Sequence, residues 1–281
     1  MYDVIIKNGT IIDGTGAPMF LGDVGIKEDQ IAKIGDLRNE KADEIIDAER
    51  KYVCPGFIDV NNHSDTYWQL FLNPDLESLV YQGVTTIVGG NCGSSLAPLT
   101  SSRNIESIQK WADLKKININ WLKFKELSDF MKNKKFSVNF ATLVGHGTMR
   151  RGILNDEVRN LTPKELNFMK KELIESLNSG ALGISTGLIY THARLSPIEE
   201  LIDLARVVKK YGGVYATHMR GEKEDLLESC EEAVEIAKKS GVKLHISHLK
   251  AMGKINWSKM KEVLNIIDHA YENGIDVTFD V

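Results

Sequence analysis

The strongest constraint on the fold is an alternation of short apolar runs with amphipathic stretches, which begins near Tyr52 and continues to the last residue. Apolar runs of this length are typical of buried parallel strands, and the stretches between them have the character of surface helices. Such alternation is the pattern of βα units that feed a parallel sheet. The sequence therefore predicts an α/β fold with seven strands, at residues 56–61, 84–90, 138–145, 181–185, 214–218, 243–248 and 276–281.

Capping signals mark the ends of several predicted helices. Residues 162–165 (TPKE) and 196–199 (SPIE) each place Thr or Ser at the N-cap, Pro at the first helical position and Glu two residues after that proline. This arrangement satisfies backbone N–H groups that the first helical turn leaves without partners. Glycines follow the helical runs as C-cap signals. We therefore expect helices to begin at Pro163 and Pro197.

The first 50 residues have a different pattern, with short β-like bursts. Asn8-Gly9 favours a type I′ hairpin turn, and a second turn is predicted around residues 28–30. We expect residues 1–54 to form a small β segment and residues 55–281 to form the βα domain. Seven βα strands indicate a (β/α)8 barrel of the TIM type that stops before its eighth strand, and we therefore expect the chain to be a fragment.

Composition excludes several classes of function. The net charge of −4 leaves no basic surface for a nucleic acid. No apolar run approaches the roughly 20 residues that a membrane span needs, and the N-terminus lacks the pattern of a secretory signal. Three cysteines are too few for a disulfide framework, which fits a reducing compartment. We expect a cytoplasmic protein without nucleic-acid or membrane partners.

Histidines and one cysteine follow the predicted strands at their carboxyl ends, the face where barrel enzymes place their active sites. A single histidine or cysteine in such a position is more often structural than a ligand. Together they match the ligands that Zn²⁺ prefers, and a catalytic zinc needs about three protein ligands. The residues are His63, Cys92, His146, His218 and His248, with Ser185 and Thr186 after the fourth strand.

A zinc at this face would polarise a carbonyl group and lower the pKa of water, which suits amide hydrolysis. Hydrolysis also needs a general base, and the sequence offers no convincing carboxylate. We expect Asp59 and Asp280 to be structural or to support the ligands. We expect His192, His245 and His269 to be structural or exposed, because His245 points to the face opposite the ligand-bearing end and His269 lies within a helix.

Five motifs carry a resemblance to a known family: PGFIDVNNHSD, GVTTIVGGNCGSSLAPL, GALGISTGLIY, THMRGE and ISHLKAMG. Together they resemble the D-aminoacylase (N-acyl-D-amino-acid deacylase) branch of the amidohydrolase superfamily. The resemblance implies a metal-dependent barrel whose N-terminal β segment belongs to a small β-sandwich. It also implies a small-molecule substrate, since such enzymes use zinc to hydrolyse N-acyl-D-amino acids to a carboxylate and a D-amino acid.

The resemblance further implies roles for individual residues. Cys92, His218 and His248 match a tightly held zinc site, and His63 matches the second histidine of a His-x-His pair at a weaker metal position. Asn61 stands where that pair usually has its first histidine. An amide is a far weaker zinc ligand than imidazole. We therefore expect one tightly bound zinc and a second position that is weak or empty.

For the substrate, the resemblance implies that Lys250 binds the carboxylate and that Tyr190 lines the pocket. His146 fits a supporting role and Arg220 a role at the rim. The family's catalytic aspartate follows the eighth strand, beyond Val281, so the catalytic residue is unassigned and the chain as given is expected to be inactive. Alternatives are a dipeptidase, a cyclic-amide hydrolase, an N-acyl-D-glutamate or N-acyl-D-aspartate deacylase of the same branch, or a catalytically dead metal-binding remnant.

Overall fold

The structure is a computed structural model that describes residues 1–100, 119–155 and 157–281. The chain divides into two compact units, Met1–Phe57 and Ile58–Val281. Within the described ranges, no helix is both long enough and apolar enough to cross a membrane.

The first unit is a five-stranded sheet. Strand β1 pairs antiparallel with β2, which pairs antiparallel with β3, while β4 and β5 both pair with β1 in parallel. The second predicted turn is confirmed as a two-residue loop between β2 and β3, in which Glu28 has a left-handed φ of 57°. The strands are β1 (Tyr2–Ile11), β2 (Phe20–Lys27), β3 (Gln30–Gly35), β4 (Ala42–Asp47) and β5 (Tyr52–Val53).

The hairpin turn predicted at Asn8-Gly9 is wrong, because both residues lie inside β1. Asn8 has a φ of 56°, and the pairing register against β2 shifts between Ile6 and Gly9. The left-handed preference of the dipeptide therefore produces a bulge in a continuing strand. The buried carboxylate of Asp23 holds the bulge, because it accepts from the backbone N–H groups of Asn8 and Leu37, each at 2.9 Å.

The second unit contains two sheets whose strands are neighbours in chain order. The three-stranded sheet has β6 (Phe57–Asp59), β7 (Val84–Gly89) and β8 (Asn139–Thr142). The five-stranded sheet has β9 (Val144–Gly145), β10 (Gly183–Gly187), β11 (Val214–His218), β12 (Lys243–Ile246) and β13 (Val277–Phe279), all paired in parallel. The strand predicted at 138–145 is thus two short strands, separated at Leu143. Parallel strands in chain order are consistent with part of an α/β barrel.

Helices alternate with these strands and pack against them. Apolar side chains of the longer helices, including Leu173, Ala205 and Ile236, share one buried cluster with Ile184 and Leu244 of the strands. The helices are α1 (Gln69–Leu72), α2 (Glu77–Val80), α3 (Phe124–Lys132), α4 (His146–Leu154), α5 (Pro163–Asn178), α6 (Thr191–Arg194), α7 (Ile198–Lys210), α8 (Leu226–Ser240) and α9 (Met260–Glu272), with a 3-10 turn at Lys254–Lys259.

One predicted cap is confirmed and the other is displaced. The hydroxyl of Thr162 accepts from the backbone N–H of Glu165, and the Glu165 carboxylate accepts in return from the N–H of Thr162. At the second site the predicted start is wrong, because α7 begins at Ile198 and has Pro197 at its N-cap. Ser196 lies one residue before this N-cap, and its backbone N–H donates to the carbonyl of Ala193.

Candidate metal centre

Three metal-ligating side chains converge at the carboxyl ends of the parallel strands. Cys92 follows β7, His218 ends β11 and His248 follows β12. Their ligating atoms all lie within 4.8 Å of one another, and Sγ of Cys92 is 3.4 Å from Nε2 of His248. One thiol and two imidazoles at this spacing can supply three protein ligands to a zinc. The structure therefore brings the three residues together, and their role as ligands stays a prediction.

His63 lies beside this cluster, whereas Asn61 is engaged elsewhere. Nε2 of His63 is 3.7 Å from Sγ of Cys92. The amide Nδ2 of Asn61 donates to Oδ2 of Asp280 at 3.0 Å, and its backbone N–H donates to Asp59. The two residues of the expected metal-binding pair are thus in different surroundings.

Buried ring nitrogens show whether the donor set suits a metal. Neither ring nitrogen of His218 makes a hydrogen bond within the described ranges, and its Nε2 is 3.6 Å from Oε1 of Glu222. Nδ1 of His63 is also buried and without a hydrogen bond to the residues that the structure describes. Buried polar atoms without partners carry a desolvation cost, which bonding to a metal would remove. The residues present therefore fit a zinc ion.

The charge state of the thiol also suits metal binding. Burial opposes ionisation of Cys92, but contacts with His218, His248 and His63 outweigh it and lower the pKa of the thiol to about 4. Burial likewise opposes protonation of His248, yet Cys92 and Glu222 raise the pKa of that imidazole to about 9. The thiolate is the form of cysteine that binds metals. By contrast, burial in the core raises the pKa of Cys230 to about 12.

Close backbone packing holds the loop that carries Cys92. Cys92 has a φ of 52°, and Gly93 follows with a φ of 76°. A Cβ atom on Gly93 would lie 2.8 Å from the backbone nitrogen of Gly187, so only glycine fits there. The N–H of Gly93 donates to Oγ of Ser185 at 3.0 Å. Ser185, which the sequence placed at this face, therefore supports the loop.

The carboxylate of Glu222 was missed by the sequence analysis. The residue is only 3% exposed, and its Oε1 lies 3.1 Å from Nδ1 of His248 and 2.6 Å from Nζ of Lys250. Burial opposes its ionisation, but His248, Lys250 and His218 lower the pKa of Glu222 to about 2. The only signal in the sequence is an acidic residue four positions after His218, a feature common in surface loops.

Lys250 and Tyr190 lie next to the clustered residues and are partly exposed to solvent. The side chain of Lys250 is 45% exposed, and its ammonium also donates to the carbonyl of His248. The ring of Tyr190 is half exposed, and its centroid is 5.2 Å from that of His218. Burial, together with the charges of Cys92 and Glu222, raises the pKa of Tyr190. A cation and a neutral phenol therefore lie next to the three clustered residues.

His146 belongs to a buried ion-pair cluster. It is fully buried, and its Nε2 is 2.8 Å from Oε1 of Glu200. Arg150 donates to both oxygens of Glu200 at 2.7 Å and to the carbonyl of His192 at 2.8 Å. Neither Glu200 nor Arg150 was identified from the sequence. Pairing of this kind offsets the cost of burying the charges and gives His146 a structural partner.

Arg220 holds the segment that follows Tyr190. Its guanidinium pairs with Glu232 of α8 at 2.8 Å and donates to the backbone carbonyls of Arg194 and Ser196. These contacts tie the end of α6 to α8. The role at the rim expected for Arg220 stays a prediction.

Asp280 links the carboxyl ends of β6, β12 and β13. Oδ1 accepts from the backbone N–H of His248 at 2.8 Å and lies 3.0 Å from Nε2 of His245. Burial opposes ionisation, but His245, Asn61 and the His248 N–H lower the pKa of Asp280 to about 2.

The expectation that His245 points away from the ligand-bearing end is wrong, because its partner Asp280 also binds the His248 backbone. Alternation of faces holds only within a strand. β12 ends at Ile246, and His248 has a left-handed φ of 39°, so the alternation does not continue to His248. His269 is exposed in α9, as expected.

Comparisons with known proteins show which family the chain resembles. A profile described as the amidohydrolase family matches residues 44–279. D-aminoacylase of Alcaligenes xylosoxydans xylosoxydans is 37% identical over 279 residues, a match that covers 99% of this chain and 57% of that protein.

Two solved structures match the chain over its full length. A D-aminoacylase whose binuclear metal centre shows one-metal activation and second-metal attenuation is 38% identical with a TM-score of 0.91. N-acyl-D-glutamate deacylase from Bordetella bronchiseptica, complexed with zinc and a phosphonate mimic of the tetrahedral intermediate, is 33% identical with a TM-score of 0.91. Each match covers 100% of this chain and 58% of the solved chain, so the chain spans little more than half the length of these relatives.

Proposed function

Because the chain belongs to the amidohydrolase family, we propose that it carries the metal-binding and substrate-binding residues of an enzyme that hydrolyses N-acyl-D-amino acids. The products are a carboxylate and a D-amino acid. The observation that carries the proposal is the cluster of Cys92, His218 and His248 within 4.8 Å. Similarity to D-aminoacylase and to the zinc-bound N-acyl-D-glutamate deacylase supports this substrate class.

In this proposal Cys92, His218 and His248 hold one zinc. When bound, zinc supplies Lewis-acid chemistry, which polarises a carbonyl and acidifies water. His63, 3.7 Å from the thiol, belongs to a second and weaker metal position. Asn61 leaves that position short of a ligand, because an amide binds zinc poorly and its nitrogen already donates to Asp280. One-metal activation of the similar D-aminoacylase supports a single working metal.

Lys250 and Tyr190 are proposed to bind the substrate. The exposed part of Lys250 offers an ammonium that can pair with the α-carboxylate of an N-acyl amino acid. The raised pKa of Tyr190 keeps its hydroxyl protonated at neutral pH, so that it can donate a hydrogen bond beside His218. These groups can orient the substrate relative to the cluster.

The architecture is proposed to follow the same family. The parallel strands of the second unit, in chain order, form part of a barrel, and residues 1–54 form one part of a β-sandwich. The parallel pairing from β9 to β13 and the five-stranded sheet of the first unit support this arrangement.

The test is a substrate panel with the purified full natural protein. N-acetyl-D-amino acids with neutral and acidic side chains are compared with their L enantiomers, with dipeptides and with cyclic amides. Release of free amino acid from the D substrates alone, with about one zinc per chain, is the expected result. Hydrolysis of dipeptides or cyclic amides alone would assign a different activity. Bound zinc without any hydrolysis would identify a metal-binding remnant.

A further inference from the structure

Glu222 lies where the proposed zinc ligands and the proposed substrate-binding residues meet. Its Oε1 is 3.1 Å from Nδ1 of His248, 2.6 Å from Nζ of Lys250 and 3.6 Å from Nε2 of His218. The side chain is 3% exposed, so bulk water screens these contacts only weakly. One carboxylate oxygen therefore lies close to two proposed zinc ligands and to one proposed substrate-binding residue.

The two ring nitrogens of His248 face different partners. Nδ1 faces Glu222, and Nε2 lies 3.4 Å from the sulfur of Cys92. In the neutral ring, which is the form that binds a metal, a carboxylate next to Nδ1 favours the tautomer with its proton on Nδ1 and leaves the lone pair on Nε2. A metal ligand must present a lone pair. The contact with Glu222 therefore directs the lone pair of His248 toward Cys92.

The ammonium of Lys250 competes with Glu222 for Nδ1 of His248. Nζ also lies 3.1 Å from Nδ1 of His248, and because an ammonium can only donate, a hydrogen bond there would require the lone pair on Nδ1. Its shorter contact, at 2.6 Å, is to the Glu222 oxygen, and a further one at 3.2 Å is to the His248 carbonyl. Lys250 therefore has acceptors other than the ring nitrogen. Its ammonium is fixed beside the cluster by the same carboxylate that orients His248.

The backbone of Glu222 is tied to the loop that it orients. The N–H of Met252 donates to the carbonyl of Glu222 at 2.7 Å. His248 and Lys250 lie four and two residues before Met252 in the chain, so their loop is fixed to Glu222 through both the backbone and the side chains. This double attachment limits how far the three groups can move relative to one another.

We propose that Glu222 is a positioning residue that couples the metal site to the substrate site. It fixes the tautomer of His248 for a zinc ion, and it holds the Lys250 ammonium where a substrate carboxylate is received. The second half of this inference rests on the proposed function, whereas the first half rests on the geometry of the cluster alone.

The first experiment measures zinc affinity by competition with a chelator. Glu222→Gln in the full natural protein is compared with Glu224→Gln, the same change at an exposed position of the same loop. We expect zinc to bind about 10- to 100-fold more weakly in the first variant and as in the wild type in the second. Glu222→Asp keeps the charge and is expected to recover part of the loss. Wild-type zinc affinity in Glu222→Gln would overturn the proposal.

A second readout needs no variant and no activity. Nitrogen NMR of the zinc-loaded wild-type protein reports which ring nitrogen of His248 carries the proton. A proton on Nδ1 supports the proposal. A proton on Nε2, with Nδ1 toward the zinc, would overturn it.

The proposed effect of Glu222 on substrate binding is tested by steady-state kinetics at saturating zinc. Lys250→Met is expected to raise KM for an N-acetyl-D-amino acid without weakening zinc binding, whereas Glu222→Gln is expected to change both. An unchanged KM in Glu222→Gln would overturn the substrate half. If the wild-type protein hydrolyses no N-acyl-D-amino acid, the proposed function fails, and the chelator and NMR results still decide the role of Glu222 at the metal.

Discussion

The amide nitrogen of Asn61 lies 3.0 Å from Oδ2 of Asp280, and this hydrogen bond joins residues 219 positions apart in the chain. Oδ1 of the same carboxylate accepts from the backbone N–H of His248. Asn61 therefore donates a hydrogen bond at a position where the family resemblance implies a histidine ligand. Its side chain connects strand ends around the cluster.

Replacing Asn61 with histidine is expected to create a second metal position. Asn61→His adds an imidazole two residues before His63, which completes a His-x-His pair. We expect the zinc content at saturation to rise from about one to about two ions per chain. Equilibrium dialysis followed by metal analysis measures this change.

Asn133→His, at an exposed position, is the control for nonspecific binding by an added imidazole. It should leave the zinc content unchanged. Two tightly bound zinc ions in the wild-type protein would contradict the argument that Asn61 weakens the second position.

The Cys92 thiol is expected to stay ionised well below neutral pH in the metal-free protein. Its pKa is about 4 in the fold, against an ordinary value of 9.0, because the contacts with His218, His248 and His63 outweigh burial. The resulting stabilisation is complete above the ordinary pKa and is lost as the pH falls through about 4. The ultraviolet absorbance of the thiolate, measured as wild type minus Cys92→Ser, follows this titration.

Cys54→Ser provides the matched comparison, because Cys54 is exposed and lies in the first unit. The Cys54→Ser substitution should leave the titration of Cys92 near pH 4 unchanged. A Cys92 difference signal that disappears near the ordinary pKa of a thiol would refute the assignment.

Asp280→Asn is expected to destabilise the metal-free protein by roughly 2 kcal/mol at neutral pH, because the fold lowers the pKa of Asp280 from 3.8 to about 2. A lowered carboxyl pKa contributes stability above the ordinary value, and this contribution is lost as the pH falls through about 2. The difference between wild type and variant should therefore shrink in acid. Urea unfolding at neutral and acidic pH measures it.

The control is Asp276→Asn, an exposed aspartate just before β13. It should change stability little at either pH. A wild-type free energy of unfolding in Asp280→Asn would show that the contacts with His245 and Asn61 contribute nothing.

Arg220→Lys is expected to raise KM several-fold with little effect on kcat. The guanidinium contacts Glu232 and the carbonyls of Arg194 and Ser196 at the same time, and a single ammonium cannot make all three contacts. The segment after Tyr190 is therefore expected to become less firmly held. Steady-state kinetics with the best D substrate measures the change. Arg206→Lys, which alters an exposed pair with Asp203, should leave KM unchanged, and an equal effect of both variants would contradict this role for Arg220.

The order of strands and helices could be predicted because its signals are local. The strand at 214–218 matches β11 at both ends, and the capping box at Thr162 forms as expected. Errors occur where a local pattern meets a contact from elsewhere in the chain. Asn8-Gly9 has the residues of a turn, but pairing with β2 continues on both sides of it.

The candidate site could be predicted only in part. Cys92, His218 and His248 were found because each lies at the carboxyl end of a strand, and the ends of parallel strands lie close together. Glu222 was missed because its burial depends on His248 and Lys250, which reach it from a separate loop. Nothing in the local sequence distinguishes this acidic residue from an exposed neighbour such as Glu224.

Cys92 and His248 both have left-handed backbone conformations, with φ values of 52° and 39°. Residues with side chains rarely adopt this conformation, and the surrounding packing must maintain it. The backbone conformation therefore helps to set the directions of the two side chains. Metal binding to a backbone already in this conformation would cost little conformational entropy of the chain. Substitutions at Cys92 and His248 could therefore change the ligand atoms while the backbone that orients them stays the same.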